Sequence, residues 1–259
     1  MGTKLDFAHA PQSPTALYLD LIKRCLLNLV YPEHETALVS GVTFPSEARV
    51  EGRGWPSMAH TMIGLRRLEN VQYCAETVLK EQVPGDFLEA GVWRGGATIF
   101  MRSILQAYEV TDRRVWVADS FAGVPSPDAT KYPRDAGLNL SMFSELAVPL
   151  ERVKVNFARY GLLDDQVVFL KGWFRDTLPA VPIKQLALLR VDGDLYESTM
   201  DALTHLYPKL VPGGFVIIDD YGDIEACRRA VTDYREKFRI EELVVPIDWT
   251  GVYWRRSKV

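Results

Sequence analysis

From residue 85 onward, short apolar runs take turns with stretches whose apolar residues recur at helical spacing. Runs at 86–90 (DFLEA), 114–118 (RVWVA), 166–170 (QVVFL), 186–191 (LALLRV) and 215–218 (FVII) read as strands. Helices are expected at 97–108, 138–147, 150–160, 198–210 and 224–238. Strands separated by helices predict a doubly wound α/β sheet, because parallel neighbours need a crossover. Two final runs, 240–247 and 252–255, flank the short turn 248–251 and form an antiparallel pair. The expected fold is thus a mostly parallel, seven-stranded sheet whose last strand is antiparallel.

The first unit, GDFLEAGVWRGGATIF at 85–100, organises the rest: a strand, a turn with Gly91, Gly95 and Gly96, then a helix. In such a sheet the ligand sits outside the carboxyl ends of the strands, which makes the residues after each strand candidate binding residues. Upstream, residues 16–31 place Tyr18, Leu21, Ile22, Cys25, Leu26 and Leu29 on one helical face. Either the main domain or a second copy of the chain would cover that face, and a dimer is expected. Residues 33–56 are polar and broken by proline and glycine, and helices are predicted over 57–63 and 65–82. Residues 1–84 then form a helical N-terminal extension of one domain, with a loose arm at 1–13, and 85–259 form the core. The stretch 121–137 has no periodicity and is expected to be a lid or substrate loop.

The 259 residues are 47% hydrophobic and 25% charged, with a net charge of -4 and no basic cluster, which excludes nucleic acid as the main partner. Cys25, Cys74 and Cys227 have no metal-binding spacing and predict a reduced, cytoplasmic protein. No apolar run reaches the roughly 18 residues of a membrane span, and no signal peptide is expected.

Acids recur at the predicted strand ends: Glu89, Asp119, Asp192 with Asp194, and Asp219 with Asp220. Asp119, after the second strand, is placed to accept hydrogen bonds from a ribose. Trp93 stands where a dinucleotide fingerprint has its second glycine, the residue that lets backbone approach a pyrophosphate. A nucleoside cofactor without phosphates fits better, and Glu89 would attract the positive charges of S-adenosylmethionine. Asp192, Asp219 and Asp220 resemble a Mg2+ site, since magnesium takes hard oxygen ligands. His205 lies among Leu203, Leu206 and Tyr207 and reads as packing; His60 is a candidate to face the crevice. Trp173 can stack on an adenine or fill the core.

Five strings, VPGDFLEAGVWRGGATIFMR, VWVADSF, RYGLLDDQVVFLKGWFRDTLP, LRVDGDLYESTMD and GGFVIIDDY, together resemble the macrocin O-methyltransferase family, which includes the mycinamicin III and novobiocin-pathway sugar methyltransferases. AHTMIGLRRLENVQ extends the resemblance upstream of the sheet. It implies a class I S-adenosylmethionine methyltransferase fold, a magnesium ion, and methylation of a deoxysugar hydroxyl on a small-molecule glycoside. It also implies metal ligation by Asp192, Asp219 and Asp220, and cofactor contacts from Glu89, Gly91, Asp119 and Ser120, with Gly172 and Trp173 near the adenine. Thr61 and Arg94 complete the expected cofactor set. Asp192 or Asp194 would take the hydroxyl proton. Two rival readings are a catechol-type O-methyltransferase and a non-catalytic cofactor-binding regulator.

Overall fold

The computed structural model describes residues 13–43 and 45–257. Except for Ser13, the arm expected at 1–13 lies outside them. Helix α1 (Pro14–Leu26) is capped by Ser13, whose Oγ accepts the Ala16 amide at 3.1 Å. It stops short of the predicted residue 31 because Asn28 adopts a left-handed φ of 53°. Next come α2 (Ser46–Glu51), inside the stretch read as irregular, and α3 (Leu65–Lys80).

The core follows as β1 (Asp86–Ala90), α4 (Gly96–Ala107), β2 (Val115–Asp119), α5 (Leu150–Arg159), β3 (Val167–Lys171) and α6 (Phe174–Thr177). It ends with β4 (Leu186–Val191), α7 (Tyr196–Leu206), β5 (Leu210–Ile218), α8 (Glu225–Phe238), β6 (Val245–Pro246) and β7 (Val252–Arg255). The sheet order is β3-β2-β1-β4-β5-β7-β6; the first five are parallel and β7 runs antiparallel to both neighbours.

Strand residues alternate between two cores, as a period of two requires. Phe87, Val115, Val117, Phe215 and Ile217 join the side chains of α1, α3, α4 and α5. Leu88, Trp116, Ala118, Val216 and Ile218 join those of α7 and α8. Leu19, Ile22 and Leu26 of α1 are buried in the first of these cores, where the helix packs on α4; this chain covers that face itself. Leu17 and Leu21 point outward.

Two predicted helices do not form. Over 57–63 the backbone is claimed by side chains instead. The Glu35 carboxylate accepts the amides of Met58 (2.8 Å) and Ala59 (3.0 Å), and Arg94 donates to the carbonyls of Ser57 (2.9 Å) and Ala59 (2.7 Å). Over 138–147 only single 3-10 turns appear, at Leu140–Met142 and Ser144–Leu146. The irregular cover between β2 and α5 therefore extends beyond the predicted lid, from residue 120 to residue 149. Cys25, Cys74 and Cys227 are free thiols. Among the described residues no helix is long and apolar enough to cross a membrane.

Candidate active site

Strand order reverses at β1, which lies between β2 and β4. A crevice opens there at the carboxyl ends of the strands, as expected for this topology. It is a cavity of about 940 Å³, walled by the strand ends, by residues between 52 and 67, and by lid residues between 123 and 146. Gly91 brings two strand ends together. A Cβ at this position would lie 1.8 Å from the Asp192 carbonyl oxygen, and its φ is +91°. Gly91→Ala should therefore abolish soluble expression or sharply lower Tm, which a thermal melt would show.

Ten of the anticipated residues line the cavity: Thr61, Glu89, Gly91, Asp119, Ser120, Trp173, Asp192, Asp194, Asp219 and Asp220. Arg94 and Gly172 are not among its lining residues. Arg94 donates to the carbonyls of Pro56, Ser57 and Ala59 and stacks on Trp93 at 4.0 Å, while the Gly172 amide donates to the Asp119 carbonyl at 2.9 Å. His60 does not line it either. Its Nδ1 lies 2.8 Å from the Tyr160 hydroxyl, and burial followed by nearby Arg159 lowers its pKa to about 4, so the ring is neutral at pH 7.

On the β1–β2 side, Asp119 accepts the Val92 amide on one oxygen (2.8 Å) and the Phe121 amide on the other (2.6 Å), while burial pushes its carboxyl up. Glu89 gives one oxygen to Arg190; its Oε2 is buried with no partner among the described residues. A buried acceptor left unsatisfied is costly. The ammonium of S-adenosylmethionine supplies the kind of donor this oxygen lacks, so the residues present fit that cofactor.

The β4–β5 side differs from expectation at Asp219. Oxygens of Asp192, Asp194 and Asp220 lie within 4.8 Å of one another, and Asp219 is not in that cluster. Asp219 instead pairs with Arg190 through one oxygen and with Arg67 through the other. Consecutive residues leaving a strand point to opposite faces. Asp219 turns to the α3 side, where Arg67 also bonds the Asp248 carboxylate (3.0 Å) and the Gly52 carbonyl (2.9 Å). Arg190, only 1% exposed, contacts Glu89, Asp192 (2.9 Å) and Asp219 together. Neither arginine was anticipated. Arg190 had a sequence signal, as the one charge inside the apolar run LALLRV, because a buried charge requires partners.

Charge partition follows the geometry. Burial acts to raise Asp219, but Arg190 and Arg67 outweigh it and hold the carboxyl low. Asp194 and Asp220 form no ion pair among the described residues. Burial, reinforced by Asp192 and Asp219, pushes Asp194 up to about 8. Burial and the neighbouring carboxylates also push Asp220 well up. Asp192 rises to about 6 through burial and Asp219, with Arg190 opposing. Three hard oxygen donors that resist ionising side by side suit a divalent cation.

These raised values carry a stability signature. Each of the three acids holds its proton more tightly folded than unfolded. Their stabilising contribution is complete below the ordinary carboxylate range and is lost as pH rises through about 6 for Asp192 and about 8 for Asp194. A bound cation favours the ionised forms, so the gain in Tm from added magnesium should be larger at about pH 8.5 than at about pH 6. Differential scanning fluorimetry across that range checks it.

Residues 15–256 match the family described as Macrocin-O-methyltransferase (TylF). The chain belongs to this family. Like other macrocin O-methyltransferase family members it is an O-methyltransferase, and its sheet is that of the class I methyltransferases. It is 57% identical over 244 residues to the Streptomyces olivaceus 8-demethyl-8-(2,3-dimethoxy-alpha-L-rhamnosyl)-tetracenomycin-C 4'-O-methyltransferase, covering 93% of each chain. It is 54% identical over 253 residues to the mycinamicin III 3''-O-methyltransferase of Micromonospora griseorubida, covering 96% of this chain and 99% of that one. Among solved structures, the O-methyltransferase NovP superposes with a TM-score of 0.90 at 52% identity, covering 94% of this chain and all of NovP. In this macrocin O-methyltransferase family member Thr61 and Arg67, both upstream of the sheet, line the same cavity as the strand-end acids.

Proposed function

We propose that this enzyme transfers a methyl group from S-adenosylmethionine to a sugar hydroxyl of a glycosylated natural product, with a divalent cation, magnesium by preference, held by the strand-end acids. One observation carries the reading. Asp192, Asp194 and Asp220 converge beside the cofactor turn, in a chain more than half identical to methyltransferases named for glycosylated antibiotics.

Asp192, Asp194 and Asp220 would hold the cation; Glu89 and Asp119 would hold the cofactor's ammonium and ribose, with Trp173 against its adenine. When bound, S-adenosylmethionine supplies a methyl group on a sulfonium, and the cation supplies a fixed positive charge for the acceptor oxygen. The chain's own residues do the rest. Asp194 takes the hydroxyl proton onto its carboxylate: among the described residues no guanidinium pairs with it, and the cation it shares with Asp192 and Asp220 would bring the acceptor oxygen beside it. Arg190 keeps Asp192 less basic and fixes its orientation. The lid and the 52–63 segment form walls of the cavity in which the acceptor would sit.

Mass spectrometry after incubation with S-adenosylmethionine and magnesium tests the reading, with mycinamicin III, demethyldecarbamoylnovobiocin and catechol offered side by side. The expected result is a methylated glycoside. Methylation of catechol alone would overturn it in favour of an aromatic acceptor, and methylation of none would remove the glycoside reading.

A further inference from the structure

The six tryptophans divide by where their indole N–H goes. Trp93 donates to the Glu145 carbonyl (3.0 Å), Trp116 to Asp86 (2.8 Å), Trp249 to the Glu51 carbonyl (2.9 Å) and Trp254 to the Tyr207 hydroxyl (3.3 Å). Trp55 and Trp173 have no acceptor among the described residues, and both line the cavity. Both are part-exposed to the cavity, so each offers a ligand an aromatic face and an N–H donor that no side chain or carbonyl has taken.

The two stand on different walls. Trp173 follows β3, on the side of Asp119 and Glu89. Trp55 belongs to the segment tied to the opposite part of the sheet, where Arg67 bonds Asp219 and Asp248 and Trp249 bonds the Glu51 carbonyl. Its backbone is fixed: the Leu38 amide donates to the Trp55 carbonyl at 2.8 Å, and Pro56 bridges Ala37. Its ring meets Phe143 of the lid edge-on, with centroids 5.0 Å apart and an interplanar angle of 89°. Trp55 is thus an aromatic with a fixed backbone on the wall of the cavity that the acid cluster also lines, backed by the lid, with an unspent donor.

We propose that Trp55, supported by Phe143, forms the wall of an acceptor subsite that takes a pyranose ring. The indole face packs on the apolar C–H face of the sugar, and Nε1–H donates to a sugar oxygen. A pyranose presents both surfaces at once, as this side chain does. The inference rests on the glycoside reading above and deepens it, assigning acceptor recognition to the N-terminal extension rather than to the sheet.

Saturation-transfer NMR with methyl α-L-rhamnopyranoside, in the presence of S-adenosylhomocysteine and magnesium, tests the subsite without requiring turnover. The wild-type chain should saturate the sugar C–H protons. Trp55→Ala should abolish the signal and Trp55→Phe should keep part of it, while the Kd of S-adenosylhomocysteine stays unchanged in both. Any glycoside the wild type methylates should show a KM raised roughly tenfold or more in Trp55→Ala, the combined worth of one aromatic contact and one hydrogen bond. The inference is overturned if the wild type gives no saturation, if Trp55→Ala leaves it intact, or if cofactor binding weakens in step. A wild type that methylates a glycoside while Trp55→Ala leaves KM unaltered removes the subsite and keeps the function. A wild type that binds the rhamnoside through Trp55 but methylates no glycoside keeps the subsite and removes the function.

Discussion

Asp194→Asn should lower methyl transfer by about 10²–10⁴-fold, the range expected for loss of a positioned general base. The cofactor site should be untouched, because Glu89 and Asp119 take no hydrogen bond from Asp194. The backbone reason for this residue is local. Asp194 sits at a φ of 56°, a left-handed conformation that aspartate tolerates better than most side chains, and its amide donates to the Asp220 carboxylate at 3.2 Å. That turn brings its carboxylate back over the end of β5. Single-turnover kinetics together with calorimetric titration of S-adenosylhomocysteine read both halves of the prediction. Loss of cofactor binding in the variant would make Asp194 a structural residue. A loss of less than tenfold in rate would move the base to Asp192.

Arg190→Met should cost about 3–5 kcal/mol of folding stability, the usual penalty for removing one partner from a buried charge network. Three carboxylates depend on this guanidinium, and Glu89 and Asp219 are almost completely buried. Arg67 compensates only at Asp219. Arg190→Lys keeps the charge, but a single ammonium cannot reach all three acids in the planar fork that a guanidinium provides. It should fall between wild type and Arg190→Met in urea denaturation. Wild-type stability in the Met variant would show that the network contributes nothing net.

The sheet was legible because strand chemistry is local. β4 appears at the bounds its apolar run predicts, and the acids at the carboxyl ends of β1, β2, β4 and β5 reach one cavity because parallel strands share that end. What failed depends on contacts distant in sequence. The helix read over 57–63 is displaced by Glu35, more than twenty residues upstream, and by Arg94, more than thirty downstream. The sequence did not show that the Asp219 and Asp220 side chains part at the strand end, because one of the two arginines that bond Asp219, Arg67, lies 152 residues away. Asp194 joined the cluster instead, through a left-handed turn that the string DGD permits but does not announce.

Methylation of a glycoside by metal-stripped enzyme, followed by mass spectrometry with chelator and again after magnesium is restored, tests the central claim most directly. The carboxylate cluster at Asp192, Asp194 and Asp220 predicts no product in chelator and full recovery with magnesium. Undiminished methylation in the presence of chelator would contradict it.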